Sequence, residues 1–143
     1  NGIPAFQNAI DHNVAFELDI HLTKDNQLLV CHDSELYRTT GKKGIIEDLT
    51  LAEIKENYRL HDGSSLPTLE EVLALTSERV PIIIELKAEK HCDTEQLQKL
   101  SQTALNQIED KKYDTEMLTH GVKSIYKYGV AFSGKNVEVA FKK

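Results

Sequence analysis

The chain has 143 residues, 40% hydrophobic and 28% charged, which suits one domain with a real core but falls short of the about 250 residues of a complete eight-stranded α/β barrel. Its formal net charge of -6 argues against a broad nucleic-acid footprint. It leaves room for a phosphate-bearing substrate, because a local cation or bound metal sets the sign of a site whatever the total charge. No apolar run approaches the roughly 20 residues of a membrane span, and none resembles a signal peptide. Cys31 and Cys92 have neither zinc-site spacing nor the density of a disulfide scaffold, and read as buried or incidental thiols.

In chain order, Pro4 fits the first turn of a short helix carrying Ala5, Phe6, Ala9 and Ile10. Asp11-His12-Asn13 reads as a turn, and Val14 to Thr23 as a strand in which Phe16, Leu18, Ile20 and Leu22 alternate with Glu17, Asp19 and His21. Lys24-Asp25-Asn26-Gln27 favours a second turn, and Leu28 to Cys31 a short strand ending at His32-Asp33. Residues 34–48, polar and containing Gly41 and Gly44, read as a loop outside the core. Thr50 and Thr68 each precede a glutamate three residues on, Glu53 and Glu71, the pattern of a capping box. The second of these helices has an apolar face of Leu69, Val72, Leu73 and Leu75, with Pro67 ahead of it.

Val80 to Leu86, with three consecutive isoleucines, predicts a strand buried on both faces. A helix from about Thr94 to Lys111 follows, with Leu97, Leu100, Ala104, Leu105 and Ile108 on one stripe. The order supports an α/β chain with part of a parallel sheet. Beyond it, Gly121, Gly129 and Gly134 punctuate short apolar fragments, Tyr126-Lys127-Tyr128 suits a strand, and Lys123, Lys127, Lys135, Lys142 and Lys143 suit a solvated basic face.

Residues i and i+2 of a strand share a face, so Glu17 and Asp19 meet. Two adjacent carboxylates need a proton or a counter-ion, and a divalent cation with oxygen ligands supplies one. A solvent-facing strand edge accommodates the same pair. Glu85 and Lys87 repeat the spacing at a strand's carboxyl end, where functional side chains of α/β folds gather. Glu85 suits a third carboxylate ligand and Lys87 a phosphate contact, or both are ordinary strand-end charges. His32 suits proton transfer near neutrality, while Asp33 either orients a neighbour or starts a turn. His21, on the face of Asp19, is a secondary candidate; His12, His61, His91 and His120 receive no role.

Residues 16–41, FELDIHLTKDNQLLVCHDSELYRTTG, resemble the signature region of the glycerophosphodiester phosphodiesterase family. The resemblance continues through Asp48-Leu49-Thr50, Leu66-Pro67-Thr68-Leu69-Glu70-Glu71-Val72-Leu73 and Ile84-Glu85-Leu86-Lys87, covering about the first 90 residues. Secreted phospholipase D toxins share a related barrel and are a more remote reading.

The resemblance implies a TIM-type (β/α)8 barrel, here partial, with a small insertion at about 36–66 and a poorly matched tail at 113–143. It implies that Glu17, Asp19 and Glu85 bind a divalent cation, Ca²⁺ or Mg²⁺, that Lys87 lies near the phosphate, and that His32 is one of two acid–base histidines. The implied reaction hydrolyses small glycerophosphodiesters to glycerol 3-phosphate and an alcohol, a step of lipid metabolism. The family's opening His-Arg-Gly strand precedes a Pro-Glu-Asn element whose last residue matches Asn1. The partner histidine, the phosphate-binding arginine and the first strand are therefore expected outside these residues. The family's later Ser-Phe strand and tryptophan-rich region are not recognised, and the chain has no Trp. A catalytically incomplete homologue acting in metal or phosphate binding, or as a homo-oligomeric structural protein, is the alternative. An unrelated α/β domain with surface carboxylates is a third. A cytoplasmic setting is favoured over a membrane-associated or extracellular one.

Overall fold

The computed structural model describes residues 1–77, 79–88, 94–110, 127–133 and 136–142, the last two stretches by their backbone. His91, Cys92, His120, Tyr126, Gly121 and Gly134 lie outside the described residues, as do Lys111, Lys123, Lys135 and Lys143. The elements are α1 (Ile3–Asp11), β1 (Phe16–Leu22), β2 (Leu28–Val30), α2 (Tyr37–Thr40), a 3-10 turn (Ile46–Asp48), α3 (Leu51–Asn57), α4 (Leu69–Thr76), β3 (Ile82–Lys87), α5 (Thr94–Asp110), β4 (Lys127–Ser133) and β5 (Asn136–Lys142). None of the described helices is long and apolar enough to cross a membrane.

The local signals act as their chemistry requires. Pro4 opens α1. Thr50 and Thr68 accept from the backbone amides of Glu53 and Glu71, whose side chains reach back to complete both capping boxes. Each such cap contributes about 1 kcal/mol. The turn after β1 closes because Asn26 takes a left-handed φ of 62°, a conformation its short polar side chain tolerates. Thr23 donates to Asp25 at 2.6 Å, and Asp25 in turn accepts from the Leu51 amide at 2.9 Å, tying this turn to the start of α3.

The five strands form one sheet in the order β2-β1-β3-β4-β5. The expected parallel pairing holds at its centre, where β3 runs parallel to both β1 and β4. The outer pairs, β1 with β2 and β4 with β5, are antiparallel. The β1–β2 connection is a short turn, which reverses the chain and makes that pair antiparallel. Strand β4 follows the long helix α5, beyond the stretch that carries the family resemblance.

Leu18, Ile20, Val30 and Leu86 pack with Phe6 of α1, with Leu69, Val72 and Leu73 of α4, and with Leu97, Leu100 and Ala104 of α5. Phe6 also stacks on Phe16 at 4.7 Å. The opposite face of β1 and β3 carries Glu17, Asp19, His21, Ile83, Glu85 and Lys87, by the alternation of strand side chains. On that face the 3-10 turn and α3 cover the His21 and Leu29 end, and no described helix packs on Ile83. Ile83 is therefore 67% exposed, not buried on both sides as its β-branched run predicts.

A second correction concerns residues 34–48. They are not a loop outside the core: Leu36 and Ile46 are fully buried with Leu29, Cys31, Ile54, Tyr58 and Leu66 in a separate cluster. Strand β2 joins the two cores, sending Leu28 and Val30 to one and Leu29 to the other. Urea unfolding should thus show Leu36→Ala losing about 2–5 kcal/mol, well above the about 1 kcal/mol expected of Thr50→Ala. Equal losses would return residues 34–48 to the surface.

Candidate active site

Parallel pairing sets Asp19 opposite Glu85 and Glu17 opposite Ile83. This register carries the third carboxylate to the first two. One oxygen from each of Glu17, Asp19 and Glu85 lies within 4.8 Å of the others, the one such group found among the described residues. Lys87, two residues beyond Glu85 on the same face, bridges Glu85 at 2.6 Å and Asp19 at 3.0 Å. Asn1 donates to the other Asp19 oxygen at 2.8 Å.

The three acids are not equivalent. Burial pushes the Glu17 carboxyl up, and the neighbouring Asp19 and Glu85 charges push it further than Lys87 and His32 draw it back. Burial also penalises the Asp19 charge, but hydrogen bonds from Asn1 and Lys87 outweigh it and hold Asp19 below the usual carboxylate range. For Lys87, burial opposes the charge, yet Glu85 and Asp19 hold the ammonium above its ordinary value. The bridge to exposed Glu85 is worth at most about 1 kcal/mol. The bridge to Asp19 matters more, because the Asp19 side chain is 4% exposed and has less water to replace a lost partner.

This oxygen set suits a hard divalent cation. Among the described residues no ammonium bridges Glu17, whose carboxyl is pushed up first by desolvation and then by the Asp19 and Glu85 charges. Lys87 already neutralises part of the cluster, so an incoming cation competes with it for Asp19 and Glu85.

His32 lies just beyond β2, its ring Nδ1 2.6 Å from Asp33. Arg38 donates its Nε–H to the other Asp33 oxygen. Those two hydrogen bonds, Arg38 first, bring Asp33 down to about 2. With Nδ1 engaged, Nε2 is the ring nitrogen left for proton exchange. His32, Asp33, Ser34, Ile45 and Lys87 line one open cavity of about 390 Å³, and Lys87 also borders a second of about 230 Å³ beside Lys24 and Lys99. His21 borders the same cavity as His32 but is almost fully buried, with Nδ1 2.8 Å from Glu47. Burial disfavours the Glu47 charge, but His21 and Ser34 overcome it and hold Glu47 below the usual range.

The structure thus gathers Glu17, Asp19, Glu85 and Lys87 into one cluster and sets His32 on a cavity that Lys87 shares. Spacing gave no sign of Asn1, Arg38 or Glu47. Arg38 does fall inside the quoted signature stretch, the one signal that could have found it.

A sheet bearing acids and a lysine at its strand ends, with helices on the other face, is a portion of a TIM-type α/β barrel. The sequence model of the glycerophosphoryl diester phosphodiesterase family matches residues 1–129, and the chain belongs to that family. A glycerophosphodiester phosphodiesterase of Bacillus altitudinis is 37% identical over 94 residues, covering 61% of this chain and 38% of its own. A lysophospholipase D of Rattus norvegicus is 31% identical over 132 residues, covering 83% of this chain and 39% of its own. The crystal structure of a glycerophosphodiester phosphodiesterase from Thermotoga maritima matches with a TM-score of 0.60 at 31% identity, over 85% of this chain and 51% of its own. The chain therefore spans about two fifths of these curated relatives.

Asp33 titrates below its ordinary 3.8. The stability it contributes is complete above 3.8 and is lost as pH falls through about 2. NMR titration of Arg38→Ala should show the Asp33 midpoint rising toward 3.8. An unchanged midpoint would remove Arg38 as its main cause.

Proposed function

We propose that this chain supplies the metal-binding and phosphate-binding part of a site that hydrolyses glycerophosphodiesters to glycerol 3-phosphate and an alcohol. The observation that carries the reading is the convergence of Glu17, Asp19 and Glu85 within 4.8 Å, with Lys87 shared between this cluster and the cavity of His32. Family membership supports the substrate class.

A phosphodiester monoanion repels an incoming oxygen nucleophile. A divalent cation, Ca²⁺ or Mg²⁺, held by Glu17, Asp19 and Glu85 supplies positive charge that offsets this repulsion. Lys87 adds a mobile ammonium that exchanges carboxylate partners for a phosphate oxygen. His32, its Nδ1 held by Asp33, transfers a proton at Nε2, either from the attacking oxygen or to the departing alcohol. Attack forms one P–O bond as the P–O bond to the alcohol breaks. The family resemblance assigns the other proton transfer to a second histidine.

Exposed Ile83, beside Glu17 on the same face, favours a second reading. Apolar surface there suits packing against a partner, so the chain would bind metal or phosphate and assemble without turnover. Calorimetry of this chain with Ca²⁺, Mg²⁺ and glycerol 3-phosphate measures the binding that both readings share.

In a protein that carries this chain with the rest of the family barrel, glycerol 3-phosphate release from glycerophosphocholine separates the two readings. His32→Ala should lower kcat by about 100-fold or more, and Glu17→Gln should raise the divalent concentration needed for half-maximal rate. If neither variant changes the rate, the enzymatic assignment is wrong.

A further inference from the structure

We propose that His21 is a positioning residue: through Glu47 and Ser34 it fixes the backbone at His32, so that the segment between β2 and α3 aims the acid–base histidine. The inference rests on the role given to His32 above, but its first test does not require turnover.

His21 follows Asp19 on the same face of β1 and is 2% exposed. Its two ring nitrogens face two acceptors, Glu47 Oε1 at 2.8 Å and the His32 carbonyl oxygen at 3.3 Å. Glu47 sits in the 3-10 turn, and its second oxygen accepts from Ser34 Oγ. The Ser34 carbonyl accepts from the Ile46 amide at 3.0 Å, closing the ring of contacts between the two segments. On the near side, the Cys31 amide donates to the Asp19 carbonyl at 3.0 Å. The chain from Cys31 to Ser34 is thereby tied at each end, and His32 lies between the ties with its carbonyl facing His21.

Packing alone does not call for this arrangement. A leucine in the place of His21 would avoid burying a polar ring against a carboxylate, a pairing that seldom raises stability above that of an apolar replacement. A buried polar network instead selects one geometry. Here the geometry selected is that of the His32 peptide, while Asp33 and Arg38 hold the His32 ring from the other side. His21 borders the same cavity as His32, but both its ring nitrogens are turned to Glu47 and the His32 carbonyl, so it acts through His32.

The test reads the His32 Nδ1 nitrogen resonance in this chain, which reports the hydrogen bond to Asp33. His21→Phe and Glu47→Ala should move that resonance toward the value of a free imidazole, and Ser34→Ala should move it less in the same direction. Glu47→Gln keeps an acceptor for His21 and should restore most of the wild-type value. Leu66→Ala, a buried change in the same apolar cluster, should lower the thermal midpoint without moving the resonance. In a protein with the complete barrel, His21→Phe should lower kcat on the order of tenfold with KM little changed. The proposal is overturned if His21→Phe leaves the His32 resonance at its wild-type position, or if Leu66→Ala moves it equally. If the resonance follows His21 while His32→Ala leaves turnover intact, the coupling stands and the acid–base reading alone falls.

Discussion

The parallel register of β1 on β3 is the constraint on which the site depends. It sets Asp19 beside Glu85 and leaves Lys87 within reach of both. A one-residue slip would turn Glu85 and Lys87 toward the helices, where Leu86 now packs. The apolar side resists that slip. Exchanging Leu86 for a charged neighbour would bury an unpaired ion against Leu18, Ile20 and the helices, at a cost of several kcal/mol. The core on one face thus holds the chemistry on the other in place.

The acidic face is held by fixed partners as well as by fold. Asp19 is buried and stays charged because Asn1 and Lys87 satisfy it. Glu17 lacks such partners and carries the repulsion of its neighbours. The cluster therefore holds one acid with fixed partners and one exposed acid beside two other carboxylates, an oxygen set of the kind that suits a divalent cation. Lys87 balances part of this charge by bridging Asp19 and Glu85, and it also lines the His32 cavity.

The second cluster gives residues 34–48 a structural task. Leu36 and Ile46 anchor the segment from beneath, while Ser34, Glu47 and Arg38 turn polar atoms toward the His32-Asp33 pair and its support. A stretch that is polar in composition therefore reaches the site from one side, as the sheet does from the other.

Much of the local structure was legible in the sequence because it depends on neighbours in the chain. Capping boxes at Thr50 and Thr68, the apolar stripes of α4 and α5, and the shared face of Glu17 and Asp19 follow from spacings of two to four residues. Family resemblance added Glu85, Lys87 and His32 as companions, which spacing alone left ambiguous. Tertiary structure decided the rest. Only strand pairing brings Asp19 to Glu85, and only the fold of the intervening segment brings Arg38 to Asp33 and Glu47 to His21. It also decided that Ile83 faces outward while Leu36 is buried. Periodicity specifies which residues share a face; which faces then meet is set by packing between segments distant in sequence, and that information is not local.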